Sequence, residues 1–171
     1  MEASEARDRM LAGVPAATGV LDVAGGATSF WEVGDGPPML LLHGGIECAG
    51  AMWAPAVGRL AQRYRVVVPD LPGLGESAPV ERLDLTTFSG WLIGVMKQME
   101  MHRPTLVAHS LVGSLAARFA VHRSDALGQL VLFSVPAVAR YRMPVRLRYV
   151  AIRFGMRPTA ENGERFDRFA L

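Results

Sequence analysis

Apolar positions in this chain first alternate, then run together, then recur every three to four residues. "GVLDV" (Gly19–Val23) and "TSFWEV" (Thr28–Val33) alternate around "AGGA", which predicts a β-hairpin. "MLLLH" (Met39–His43), "RVVVP" (Arg65–Pro69), "TLVAH" (Thr105–His109) and "QLVLFSV" (Gln129–Val135) are short, nearly continuous apolar runs of the kind that form buried strands. Helical spacing lies between them. It covers Trp53–Arg63 through Trp53, Val57, Leu60 and Ala61, then Phe88–Met99 through Phe88, Trp91, Leu92, Val95 and Met99, then Leu111–Val121.

A hairpin leading into β-α-β-α-β-α-β predicts an α/β fold. Its sheet is mostly parallel, with an N-terminal hairpin, right-handed crossovers and flanking helices. Residues 1–18, rich in alanine and charge, read as an N-terminal arm, and 19–139 as the core. Beyond Pro136 the pattern changes. Met143, Leu147, Val150, Ala151 and Phe154 share one helical face, Arg142, Arg146, Arg153 and Arg157 fall on the opposite side, and Pro144 and Gly155 suit the ends. Residues 140–171 therefore begin a separate basic, amphipathic section.

Composition narrows the classes. Half of the 171 residues are hydrophobic and a fifth are charged, so a packed core rather than disorder is expected. The net charge is only +2, but six arginines and no acid lie between Arg140 and Arg157. No nucleic-acid reading motif accompanies them, so no nucleic-acid partner is expected. The stripe reads first as a solvated face, and attraction to anionic substrates or lipid headgroups is the lesser reading. Cys48 is the only cysteine and reads as a small buried or loop thiol; with no apolar leader at the N-terminus, a cytoplasmic setting is expected. No apolar run is long enough for an integral membrane segment. No His, Cys, Asp or Glu cluster has metal-ligand spacing, and no cofactor is expected. Trp31, Trp53 and Trp91 read as packing residues.

The candidate chemistry starts at "LVAHSLVGS" (Leu106–Ser114), where a strand runs into Ser110 and turns at once into a helix. Such a junction lifts a serine Oγ above the sheet and aims the following N–H groups at it. Serine is equally a favoured helix cap, and these nine residues leave both readings open. Ala108 is small, as the turn requires. Val112 is not, and its branched side chain should crowd the strand; Gly113, one position later, suits close helix–strand packing instead. "LLLHGGIECAG" (Leu40–Gly50) follows a central strand, and glycines there let backbone N–H groups turn inwards as an oxyanion hole. "GLGESA" (Gly73–Ala78) matches the dinucleotide fingerprint, but "DLP" separates it from the strand and Pro79 interrupts the helix that would receive a pyrophosphate.

"LLLHGG", "VVVPDLPGLGES" and "LVAHSLVGS", in this order and spacing, resemble the α/β-hydrolase superfamily over about Gly19 to Ala139. The resemblance implies that Ser110 is the nucleophile, with the N–H groups of Gly45 and Leu111 as the oxyanion hole. His43, Gly44, His109, Asp70, Gly73 and Gly75 would be motif residues, and the basic helix the start of a helical cap. The implied partner is a small hydrophobic acyl or ester-like substrate; nothing fixes the oligomeric state.

In that family the order is Ser, then Asp or Glu, then His. The only histidine after Ser110 is His122, roughly 15 Å or more away along the helix that Ser110 begins. His102 precedes the strand, at its far end. Asp125, Glu161, Glu164 and Asp167 follow no further sheet strand. The chain thus lacks a plausible catalytic histidine, and "QLVLFSV" has no following strand to cover its outer side. The expectation is a hydrolase truncated before its last strands, acting on an ester or a related acyl or carbon–carbon substrate. The competing expectation is a non-catalytic remnant or binding module on the same scaffold.

Overall fold

The structure is a computed structural model that describes residues 15–24, 26–44, 48–135 and 144–156, together with positions 9, 12, 159, 161, 162, 164, 165 and 168. It divides into two compact units, Met1–Val138 and Ala139–Leu171.

The first unit is a six-stranded mixed sheet. Its strands are β1 (Ala17–Val23), β2 (Gly26–Val33), β3 (Pro38–Leu42), β4 (Arg65–Pro69), β5 (Thr105–His109) and β6 (Gln129–Phe133), in spatial order β1-β2-β4-β3-β5-β6. β1 and β2 form the expected hairpin, and β2 lies antiparallel to β4. β4, β3, β5 and β6 are parallel, with Leu42 beside Ala108 and His109 beside Phe133. The loops after β3 and β5 therefore leave the sheet as neighbours, at its carboxyl edge.

Side-chain alternation explains the layers. Leu40, Leu42, Val67, Leu106 and Ala108 share one apolar cluster with α2 (Leu85–Gln98) and α3 (Ser110–His122). Met39, Leu41, Val66 and Val68 share another with Trp53 and Val57 of α1 (Ala49–Leu60). The strands are apolar throughout because helices cover both faces. The three tryptophans are buried, and the Trp91 indole N–H donates to Thr28 Oγ1 at 2.9 Å.

Two helices start earlier than their apolar spacing, each because a carboxylate captures a first-turn N–H. Asp84 accepts from Thr87 N at 3.0 Å and starts α2. Asp70, 21 residues away in sequence, accepts from Ala49 N at 2.8 Å and starts α1. β6 stops two residues short of Val135, where Ser134 at φ 52° turns the chain out of the sheet. Among the described strands β6 lies at an edge of the sheet, and Val131 is 37% exposed.

In the second unit, α4 (Val145–Met156) buries Val150 and half-buries Leu147 and Ala151, as the spacing predicts. Phe154 side-chain placement, Met143, Arg142 and Arg157 lie outside the described residues. The exposed side is not simply basic, however. Val145, Tyr149, Ile152 and Met156 are all solvent-facing, because this helix is apolar along two opposite lines and the arginines lie between them. No helix among the described residues is long and apolar enough to cross a membrane.

Candidate active site

Ser110 sits where β5 becomes α3, and its φ is +55°. An L-residue in this left-handed region carries roughly 1–2 kcal/mol of steric cost, so the surrounding packing must hold it there. Several contacts do so. Val112 is only 2% exposed and joins Leu42, Ala108 and Phe88 in the core, so its branched side chain is accommodated as packing rather than crowding the turn. Gly113 presses on Val135, with no room for a Cβ between them. It is thus the glycine that lets α3 approach the end of β6.

Leu111 follows as the second residue of α3, its side chain 61% exposed. Its N–H is one of the first-turn groups that lack an intrahelical acceptor. Gly44 is buried just past the end of β3, on the strand that neighbours β5. Gly45 lies outside the described residues.

His43 is fully buried and fixed at both nitrogens. Leu71 N donates to Nε2 at 3.0 Å, and Nδ1 is 2.8 Å from the Gly44 carbonyl. Because Nε2 must accept, the proton is on Nδ1 and the ring is a neutral brace between two loops. Asp70 Oδ1 lies 4.0 Å from His43 Nε2 but spends its oxygens elsewhere. Oδ1 accepts from Ala49 N, and Oδ2 accepts from Glu76 N at 3.1 Å. Gly73 and Gly75, at φ +79° and +58°, curl the loop around this carboxylate, and Gly75 abuts it closely. Ser77 completes the knot, donating to the Asp70 carbonyl at 2.8 Å and accepting from Ser29 N at 3.0 Å. No helix follows Gly75 until Leu85, so the fingerprint glycines shape a turn rather than a phosphate cradle.

His109 stacks on Phe133, ring centroids 4.8 Å apart, and Phe133 meets Trp53 edge-on at 5.6 Å. This aromatic row beside Ser110 was not visible in the sequence, since it depends on the pairing of His109 with Phe133 across two strands. His102 lies before β5, at the edge away from Ser110, and His122 ends α3. The cavity of about 460 Å³ lined by Lys97, His102, Arg103 and Arg123 is also at that far edge, and Ser110, Leu111, His43, Gly44 and Asp70 are not among its lining residues. No metal-binding group occurs among the described residues.

The structure therefore brings Ser110, the Leu111 N–H, Gly44 and the His43–Asp70 brace to one edge of the sheet. The profile of the Alpha/beta hydrolase family matches residues 39–170. The chain is 37% identical over 124 residues to a pimeloyl-[acyl-carrier protein] methyl ester esterase of Vibrio atlanticus, covering 71% of this chain and 46% of that protein. It is 30% identical over 132 residues to a 2-hydroxy-6-oxo-2,4-heptadienoate hydrolase of Pseudomonas putida, covering 74% and 48%. The fold is shared with the naproxen esterase of Bacillus subtilis at TM-score 0.80 and 19% identity, over 96% of this chain and 58% of that one. The chain thus spans less than half the length of both curated relatives.

Proposed function

The chain belongs to the alpha/beta hydrolase family, and from that premise we propose that it is the nucleophile-bearing part of a serine hydrolase acting on an ester or a related small acyl or carbon–carbon substrate. The observation that carries this reading is the left-handed Ser110 at the strand–helix junction. A helix-capping serine needs only extended backbone; a strained one raised at the carboxyl edge fits a nucleophile. Ser110 Oγ would attack the substrate carbonyl carbon. The Leu111 and Gly45 N–H groups would receive the charge developing on its oxygen, a contribution of about 3 kcal/mol per donor. Phe133, half-buried and stacked on His109 at the end of β6, puts an apolar side chain beside the junction, which suits a hydrophobic acyl group. The relatives' names extend the range to methyl esters and to a dienoate hydrolase substrate.

The serine needs a base to take its proton. His43 is committed to Leu71 and Gly44, and His102 and His122 lie elsewhere, so the proposal assigns the base and its acid to a segment beyond Leu171. Residues 140–171 would then be the start of a helical cap, and the setting would be cytoplasmic. Extending the coding sequence past Leu171 and treating the product with a fluorophosphonate tests this. An acid and a later histidine should appear, and labelling should vanish in Ser110→Ala. A stop codon directly after Leu171 with no labelling would overturn it.

The distribution of the four histidines favours one second reading, a binding module on the same scaffold. It expects purified chain to bind an apolar ligand without cleaving esters; ester cleavage lost in Ser110→Ala removes it.

A further inference from the structure

We propose that the outer face of α4 is a docking surface for anionic lipid bilayers. Val145, Tyr149, Ile152 and Met156 are 79%, 61%, 56% and 78% exposed. At 3.6 residues per turn their spacing of i, i+4, i+7 and i+11 confines them to an arc of about 60°. Scattered exposed apolar residues need no explanation, but a continuous line of four large ones along a helix does. The helix already has a buried side at Val150, so this line is a second apolar face, not its packing face.

Charge decides the occupant. Arg146 and Arg153 lie along one margin of the stripe and Arg148 along the other, and no acid occurs anywhere in Val145–Met156. An apolar strip with arginines on both margins matches a helix lying in a membrane interface. There the strip enters the acyl boundary and the long side chains reach up to phosphates. A groove of about 810 Å³ beside the strip adds Arg165 and Arg168 to Val145, Tyr149 and Val150. It offers an apolar floor whose rim carries Arg146 and Arg168 beside the Arg165–Glu161 ion pair, the chemistry of an acyl chain and its phosphate. A second copy of the same face fits worse, since a two-fold contact would bring the Arg146, Arg148 and Arg153 margins together and Val145–Met156 holds no acid to pair them. At twelve residues the helix is about 18 Å long, too short to span, so it would lie in the plane of the surface.

The test uses the chain extended past Leu171 to its own stop codon, with vesicles of phosphatidylcholine alone and of equal parts phosphatidylcholine and phosphatidylglycerol, separated by sedimentation. Capture by the anionic vesicles should exceed capture by the neutral ones by about tenfold and fall at high salt. Tyr149→Glu with Ile152→Glu should lower it by about tenfold or more. Arg148→Gln, which leaves the apolar strip intact, should lower only the anionic preference, by about fivefold. Unchanged near-ultraviolet circular dichroism serves as the folding control. Equal capture by both vesicle types would overturn the proposal. So would wild-type capture by both sets of variants, binding of inorganic phosphate without vesicle capture, or a dimer broken by Tyr149→Glu in a chain that vesicles do not retain.

Discussion

Gly113 and Val135 are in such close contact that a single methyl group on the glycine would overlap Val135 Cγ2. This contact joins the first turn of α3 to the chain leaving β6, three residues beyond Ser110. Gly113→Ala should therefore destabilise the chain by about 1–3 kcal/mol through overpacking. The double variant Gly113→Ala/Val135→Ala should recover part of that loss, because the second substitution removes the overlapping atoms. Urea unfolding of all four proteins gives the coupling; a double variant whose losses simply add would show that the contact does not set the helix position.

The strained Ser110 gives a stability prediction independent of any activity. Glycine tolerates φ +55° without the side-chain penalty, whereas alanine keeps it. Ser110→Gly should be more stable than Ser110→Ala by about 1 kcal/mol, even though glycine ordinarily weakens a helix. Chemical denaturation of the two variants decides it, and an alanine variant equal to or more stable than the glycine one would mean the turn is not strained.

The reach of sequence reasoning followed the range of the forces involved. Strand runs such as Val66–Val68 and helix faces such as Phe88–Trp91–Val95 are local periodicities, and the structure has them where the spacing put them. The start of α1 was not readable, because its cap is Asp70, contributed from beyond the next strand. The same holds for the His43 proton, which is placed by Leu71 N, and for the row His109–Phe133–Trp53, which exists only once β5 and β6 pair. Ser110 was recognisable by its position between strand and helix. Its left-handed backbone is a consequence of how α3 packs, and no letter in "LVAHSLVGS" encodes that alone. The outer stripe of α4 is present in the spacing, but Arg146, Arg148 and Arg153 interleave with Val145, Tyr149, Ile152 and Met156, so two opposed apolar lines read as one basic amphipathic helix.

Asp70 anchors two loops with two oxygens, so its substitutions should separate charge from shape. Asp70→Ala leaves the Ala49 and Glu76 N–H groups without their carboxylate and should cost about 3 kcal/mol. Asp70→Asn should recover less than half of this, because its amide nitrogen must face one of two N–H donors. Equilibrium unfolding at neutral pH is the measurement; an asparagine variant of wild-type stability would place the anchor elsewhere.

Asp84 should make stability depend on acid. Its carboxylate is held below the usual value of 3.8, chiefly by the hydrogen bond from the Thr87 backbone N–H. A depressed folded-state value means that the ionised form favours folding. The contribution is present above the unfolded-state value and disappears as pH falls through the lower folded-state value. Asp84→Ala should thus melt at a lower temperature than wild type at neutral pH, and the gap should narrow as pH falls through the lowered folded-state value. Asp84→Asn, which keeps a side-chain acceptor, should lie between them at neutral pH. A difference between wild type and Asp84→Ala that persists unchanged into strong acid would contradict the cap's role.

β6 offers the last test. Its inner side pairs with β5 from Gln129 to Phe133, and no described strand covers its outer side. Val131, in the middle of that strand and 37% exposed, presents an apolar side chain where a second extended chain could add. Edge pairing of this kind is opposed by a lysine, whose charge must be desolvated for another strand to approach. Val131→Lys should therefore reduce concentration-dependent association of the purified chain, while changing its unfolding free energy by no more than about 0.5 kcal/mol, as for an ordinary surface substitution. Light scattering across a dilution series measures the first effect and urea unfolding the second. Association that is unaffected by the lysine would move the sticky surface away from the sheet edge; a large loss of stability would mean that Val131 belongs to the core rather than to the edge.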